Sequence, residues 1–267
     1  LPELPEVENF ARRIHAVYAG HALESVTFHR EGLRYPFDRK ALARALRPGA
    51  ILRSVGREGK QIVFRFDDAE LFASLGMSGA FVPARKGSPL KHEHVTFYFR
   101  GLDAALGYVD PRRFGFLSLE SPPAAASPLV SEELKTTLTQ LKKCDSRRRL
   151  RDVLLDQRMV AGVGNIYMCE ACFAAKVDPC RAVASLSPVQ IGAIARVLPQ
   201  ILERAIELGG SSISTYRQFD GSSGGAQQIH KVYGQDGATC SRAGCKGVIA
   251  RAVVGGRSVF FCPCCQK

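Results

Sequence analysis

Four cysteines near the carboxyl end constrain this chain more than any other feature. Cys240 and Cys245 are separated by four residues, Cys262 and Cys265 by two, and sixteen residues lie between the pairs. Close pairs at this spacing form two metal knuckles carried on a β-hairpin. Four thiolates in a tetrahedral set satisfy one zinc ion and leave no open coordination position, so such a centre is structural rather than catalytic; iron accepts the same ligands. Cys264 lies inside the second pair and is expected to point away.

The chain has nine cysteines, an odd number, and LPELPEVENF at its start has early acids and no basic segment of the kind that opens a secretory signal. A disulfide framework is therefore not expected, and the expected compartment is the cytosol or nucleoid. No run of about 18 apolar residues is present, so no membrane partner is expected. Cys169 and Cys172 fall three apart in a helical segment, away from the helix amino terminus that would activate a thiol. They read as small buried hydrophobes, as do Cys144 and Cys180. The net charge is +12, from 37 Lys and Arg against 25 Asp and Glu. Such an excess attracts polyanions, above all nucleic acid.

The hydrophobic period divides the chain. Val7, Phe10, Ile14 and Val17 place an amphipathic helix over 3–18. From 23 to 119 the period falls to two, with strands such as Ser25–Phe28, Gln61–Phe66, Val95–Phe99 and Phe114–Leu119, and one short helix over Lys40–Leu46. SPPAAASP, 121–128, is a linker. Beyond it, helices are predicted over 131–141, 147–156, 164–175 and 187–207. The Gly/Ser-rich segment 209–226 reads as a mobile loop, and β-structure is expected from 231 onward. These boundaries divide the chain into 1–123, 128–230 and 231–267.

Two further features point to chemistry. KKCDSRRRLR, 142–151, sets six basic residues just before a helix, and AGVGN, 161–165, is a glycine turn leading into another; free N–H groups at such a turn suit phosphate. At the amino terminus, Glu3 and Glu6 flank a helix start. Compensating the helix dipole is their ordinary role. A catalytic role needs a nucleophile beside them, and a free α-amine, with a pKa near 8, is one.

Taken together, LPELPEVE, SLGMSG (74–79), KHEHV (91–95), DPRRFG (110–115), LLDQRMVAGVGNIY (154–167) and FCPCCQ (261–266) resemble the bacterial formamidopyrimidine-DNA glycosylase family, in order and from end to end. The resemblance implies an α+β architecture: an N-terminal β-sandwich led by a catalytic helix, a helix–two-turn–helix domain, and a C-terminal β-hairpin zinc finger. It implies a monomeric base-excision repair enzyme acting on double-stranded DNA that contains oxidised bases or abasic sites. Such an enzyme removes 8-oxoguanine and formamidopyrimidines and cuts the strand by β,δ-elimination. Pro2 then matches the nucleophile, Glu3 the acid that aids sugar-ring opening, Glu6 a supporting carboxylate, and Lys60 the lysine near the reacting nucleotide. Met77, Arg112 and Phe114 match the side chains that fill the gap left by an everted base, although the hydrophobic pattern alone puts Met77 and Phe114 in a core. His92, Asn165 and Arg257 match phosphate contacts. A metal pair at His92 and His94 is the competing reading. Cys240, Cys245, Cys262 and Cys265 match the ligands of one structural Zn2+.

The chain departs from the family pattern at four places. Leu1 stands where the family has an initiator Met that is removed to free the proline. A non-AUG start codon translated literally accounts for this, and intact-mass measurement of natively expressed protein is expected to find Pro2 at the amino terminus. The segment 221–228 lacks the usual aromatic pair, Arg151 replaces a frequent Lys, and the first knuckle is two residues wider than usual. An endonuclease VIII-like enzyme for oxidised pyrimidines and a non-catalytic zinc-finger protein are the rival readings.

Overall fold

The computed structural model describes residues 2–212 and 216–267. Leu1, and with it the expectation about its removal, lies outside the described residues, as does the centre of the predicted loop 209–226. The chain forms two compact units, one of residues 1–122 with 208–225, the other of 123–207 with 226–267.

The first unit begins with α1, Leu4–Tyr18. Val7, Phe10, Ile14 and Tyr18 share one face and are buried, each apolar side chain worth roughly 1.5–3 kcal/mol. Val17, which the spacing placed on that face, is exposed; Tyr18 takes the position. α1 packs on β2, Leu52–Glu58, and β3, Gln61–Phe66. Those strands continue into β4, Glu70–Ser74, and β8, Phe116–Ser118, as one antiparallel sheet. The other sheet runs β1 (Leu23–Phe28), β6 (Glu93–Phe99), β7 (Ala104–Val109) and β5 (Ala80–Arg85). Phe64 of the first sheet meets Phe81 and Phe97 of the second at ring separations of 5.2 and 6.0 Å, which makes the two sheets a sandwich. A short helix, α2, spans Arg39–Ala45. Residues 208–225 belong to this unit: the Tyr216 ring meets Phe10 edge-on at 5.7 Å, and Phe219 meets Tyr18 at 6.4 Å.

The second unit contains α3 (Ser131–Lys143), α4 (Leu150–Leu155), α5 (Asn165–Ala174) and α6 (Pro188–Glu207), with α6 packed on α3 and α5. The only strands here among the described residues are β9, Ala250–Val254, and β10, Arg257–Phe261. The β-structure expected from 231 onward is found over 250–261, whereas its first residues form no strand, for a definite reason. The buried Glu170 carboxylate accepts the N–H groups of Lys231, Val232 and Tyr233 at 2.8–3.0 Å, so those groups do not enter a ladder.

The basic run 142–151 also differs from its reading as a phosphate strip. Arg149 and Arg151 pair with Asp152, Arg148 pairs with Asp156, and Arg151 is 3% exposed. Three of its six cations are thus paired within the unit. Cys169 and Cys172 are buried as expected, but Cys144 is exposed and Cys180 only half-buried.

Candidate functional site

The start of α1 is built around two carboxylates. Glu3 is the N-cap; its side chain accepts the backbone N–H of Glu6, and Glu6 Oε2 accepts the N–H of Glu3 at 2.8 Å. This reciprocal capping box satisfies donors that a helix start leaves orphaned. Glu6 Oε1 also accepts the Ser211 N–H at 2.7 Å, and a Cβ on Gly210 would approach that oxygen to 2.8 Å. With 3% and 1% exposure, Glu3 and Glu6 are sealed beside buried Pro2. Pro2, Met77, Ser78, Tyr216 and Arg217 line one small cleft. Glu6→Gln turns an amide NH2 toward an N–H donor. It is expected to lower the stability of this unit by about 2 kcal/mol in urea unfolding, since a buried donor loses its acceptor.

Lys60 lies on the β2–β3 turn, next to Gly59, whose φ of +55° suits a residue without Cβ. The half-buried Arg57 fixes this turn. Its Nε donates to Glu8 of α1 at 3.1 Å and its Nη1 to the Gly59 carbonyl at 2.9 Å. Burial holds the Arg57 pKa below its usual value, and Glu8 opposes that shift. One ion pair therefore joins the Lys60 turn to the helix that begins beside Pro2. Arg57→Met is expected to cost about 2 kcal/mol by thermal unfolding.

Met77, Arg112 and Phe114 stand on two adjoining loops. Phe114 precedes β8 rather than lying within it, and is 43% exposed. The Arg112 guanidinium lies 5.0 Å from the Phe114 ring centre. Met77 is half-buried, so neither apolar side chain is a core residue. Buried Asp110 ties the loops together: Oδ1 accepts Ser78 Oγ–H at 2.6 Å and the Arg112 N–H at 3.2 Å, and Oδ2 accepts the Gly115 N–H at 2.9 Å. Gly76 is required here, because a Cβ would come within 2.5 Å of the Phe114–Gly115 backbone. His92 is exposed at φ +66°. His94 is buried, its Nε2 2.8 Å from the Asp110 carbonyl, and burial lowers its pKa. One histidine is thus exposed and the other buried.

In the second unit, Gln157 shapes the glycine turn. Its Oε1 accepts the Gly162 N–H at 2.8 Å, and its Nε2 donates to the Val163 carbonyl at 2.9 Å. Asn165 opens α5 and donates from Nδ2 to the Ser258 carbonyl at 2.7 Å, which docks the helix start on β10 beside exposed Arg257. The turn between β9 and β10 is Gly255–Gly256, both at positive φ, as a two-residue hairpin of this type demands.

The Sγ atoms of Cys240, Cys245, Cys262 and Cys265 all lie within 4.8 Å of one another. Cys245 to Cys262 is 3.7 Å and Cys240 to Cys265 is 3.9 Å. Tetrahedral thiolates about 2.3 Å from a central ion would be separated by about 3.8 Å, so the set fits one metal ion. Cys264 is exposed and outside it. Buried Gln266 fastens the second knuckle: Oε1 accepts the Cys262 N–H at 2.7 Å, and Nε2 donates to the Val177 carbonyl at 2.9 Å. A Cβ on Gly247 would stand 2.7 Å from Cys262 Sγ. Gly247→Ala is therefore expected to weaken metal retention at least tenfold in a chelator competition.

Sequence reasoning missed Asp110, Arg57, Gln157, Gln266 and Ser211, all of which hold functional candidates in place. Asp110, Gln157 and Gln266 lay inside quoted motifs that did not reveal their roles; Arg57 and Ser211 gave no signal apart from their spatial partners.

Two buried carboxylates at a proline-led helix, an exposed Arg–Phe pair and a four-thiolate hairpin define the class; comparison with known proteins supplies the family. The formamidopyrimidine-DNA glycosylase N-terminal domain matches residues 1–117, and the formamidopyrimidine-DNA glycosylase H2TH domain matches 125–217. Formamidopyrimidine-DNA glycosylase of Gluconobacter oxydans (strain 621H) is 39% identical over the full length of both chains. Among solved structures, MutM (Fpg) of Thermus thermophilus is 38% identical with a TM-score of 0.84, covering 99% of this chain and 98% of that one. Lactococcus lactis Fpg in complex with an abasic-site DNA is 33% identical with a TM-score of 0.86, covering 99% of each. This chain belongs to the formamidopyrimidine-DNA glycosylase family of base-excision repair enzymes.

Proposed function

We propose that this protein removes oxidised purines, 8-oxoguanine and formamidopyrimidines, from double-stranded DNA and then cleaves the strand as an abasic-site lyase. The observation that carries the reading is the sealed pair Glu3 and Glu6 beside Pro2 at the start of α1. The Pro2 amine, freed by removal of the preceding residue, attacks C1′ and the damaged base departs. Glu3 delivers a proton to the ring oxygen O4′ as the sugar opens. The resulting iminium, derived from a secondary amine, is permanently cationic and acidifies the sugar: loss of a C2′ proton expels the 3′ phosphate, and loss of the C4′ proton then expels the 5′ phosphate. Glu6 takes no proton in this scheme. Its oxygens hold the Glu3 and Ser211 N–H groups, and so it fixes the geometry in which Pro2 and Glu3 act.

Lys60 supplies positive charge near the reacting nucleotide. Met77, Phe114 and Arg112 occupy the space that the everted base leaves, with Arg112 toward the orphaned cytosine. His92, Asn165 and Arg257 contact phosphates. Cys240, Cys245, Cys262 and Cys265 hold zinc, which when bound stabilises the β9–β10 hairpin and does no chemistry. Relatives support the choice of lesion-containing DNA as substrate: solved Lactococcus lactis Fpg complexes contain Fapy-dG and abasic-site DNA.

Borohydride trapping on a duplex with 8-oxoguanine opposite cytosine tests the reading. A covalent adduct is expected with the wild type and none with Pro2→Gly. An adduct formed only with oxidised pyrimidine would assign the endonuclease VIII-like activity instead, and tight binding with no adduct would leave a DNA-binding protein.

A further inference from the structure

The loop over 29–37 leads from β1 to α2 and is held against the segment that carries Arg112 and Phe114. The Arg34 N–H donates to the Gly115 carbonyl at 3.1 Å, and the Gly115 N–H is the one already held by Asp110. The Gly115 peptide is thus bonded on both sides, which ties the two loops together. Within the loop, the Leu33 N–H donates to the Tyr35 carbonyl at 3.0 Å and the Phe37 N–H to the Glu31 carbonyl at 2.8 Å, and Phe37 is buried. A Cβ on Gly32 would come within 2.6 Å of the Tyr35 carbonyl oxygen, so the turn closes tightly. Backbone bonds and one buried ring fix this shape without help from the Arg34 side chain.

Arg34 and Tyr35 are both exposed, Tyr35 by 54%. The Tyr35 ring meets that of Phe116, at the start of β8, at 5.7 Å, and the Arg34 guanidinium lies 5.5 Å from the Tyr35 ring centre. The pair repeats, on the adjoining loop, the arrangement of Arg112 and Phe114. The charge here is one-sided. The only acid of the loop, Glu31, pairs with Arg39 at 2.9 Å, whereas Arg34, Arg112 and Arg113 form no ion pair among the described residues. A single exposed aromatic needs no explanation. Two adjoining rings that each hold an unpaired guanidinium make a surface suited to a polyanion, and nucleic acid is the polyanion whose sugars and bases also pack on rings.

We propose that Arg34 and Tyr35 bind the DNA strand opposite the lesion, with Arg34 on a backbone phosphate and Tyr35 as the ring that orients its guanidinium. The proposal rests on the repair reading above, because the strand is identified through Arg112, which that reading turns toward the orphaned cytosine. A loop bonded to the Arg112 loop meets the same strand. A phosphate contact there carries no sequence information; it fixes the register of the second strand while the wedge fills the gap.

Anisotropy with a tetrahydrofuran-containing duplex, measured over a salt series with metal-loaded full-length protein, tests this. Arg34→Ala is expected to weaken binding about tenfold and to reduce the salt slope by about 1, as for loss of one phosphate contact. Tyr35→Ala is expected to weaken it about threefold, and Tyr35→Phe, which keeps the ring, to restore it. Neutral methylphosphonates placed opposite the lesion are expected to cost the wild type about tenfold more affinity than they cost Arg34→Ala. Full affinity with an unchanged salt slope in Arg34→Ala overturns the proposal. So does coupling of Arg34 to methylphosphonates in the lesion strand instead, which moves the contact to the other strand. Wild-type binding that ignores the tetrahydrofuran site would overturn the repair reading and the proposal with it, and that result precedes any comparison of variants.

Discussion

Asp110→Ala is expected to destabilise the first unit by about 3–5 kcal/mol and to weaken binding to abasic-site DNA at least tenfold. The carboxylate is wholly buried and accepts hydrogen bonds from Ser78, Arg112 and Gly115. Its removal orphans the buried Gly115 N–H and takes the acceptor of the Ser78 hydroxyl, while the Arg112 N–H keeps Ser78 Oγ at 3.2 Å; each orphaned donor costs about 1–3 kcal/mol. Met77 and the Arg112–Phe114 pair are carried on the two segments that Asp110 joins, so disorder in either one moves the proposed wedge. Asp110→Asn retains one acceptor oxygen but turns an NH2 toward a donor, and about half the loss is expected. Urea unfolding measures the first effect. Anisotropy with a tetrahydrofuran-containing duplex measures the second. Unchanged affinity in a variant that remains folded would detach these loops from DNA binding.

The second large effect is expected at the cysteine cluster. Cys262→Ser is expected to abolish stoichiometric metal retention and to unfold the β9–β10 hairpin, because structural zinc in comparable small sites contributes about 10–16 kcal/mol of apparent binding free energy. Cys262 is buried and its N–H is already held by Gln266, so the altered side chain cannot swing away to restore the geometry. With the hairpin unfolded, Arg257 has no fixed position. Affinity for abasic DNA is then expected to fall at least tenfold, and the salt slope of binding to decrease by about 1, as for loss of one phosphate contact. Metal content by colorimetric chelation and the salt series together check this. Full affinity without metal would remove the finger from the interface.

The parts of this protein that were legible in sequence are those in which local chemistry decides. The period of α1 follows from Val7, Phe10 and Ile14, and the knuckle spacing from the fixed bond lengths around one ion. The gaps arise where a side chain meets a distant backbone. Phe114 fits a strand pattern, yet Asp110 holds the Gly115 N–H and β8 begins only at Phe116. The basic run 142–151 reads as an open cationic strip, since the acids that answer it, Asp152 and Asp156, lie beyond its end and only folding turns its arginines onto them. Arg34 and Gly115, which one hydrogen bond joins, share no pattern at all.

The sequence by itself determined the four-cysteine cluster, the helix that opens the chain and the family, because each rests on residue identity at short spacing. Only the tertiary structure decided which acids are sealed, which cations are already balanced, and that residues 208–225 join the first unit. Those outcomes depend on burial and on partners as much as 205 positions apart, as Glu6 and Ser211 are. The free energy of a buried charge or donor is set by what surrounds it in space.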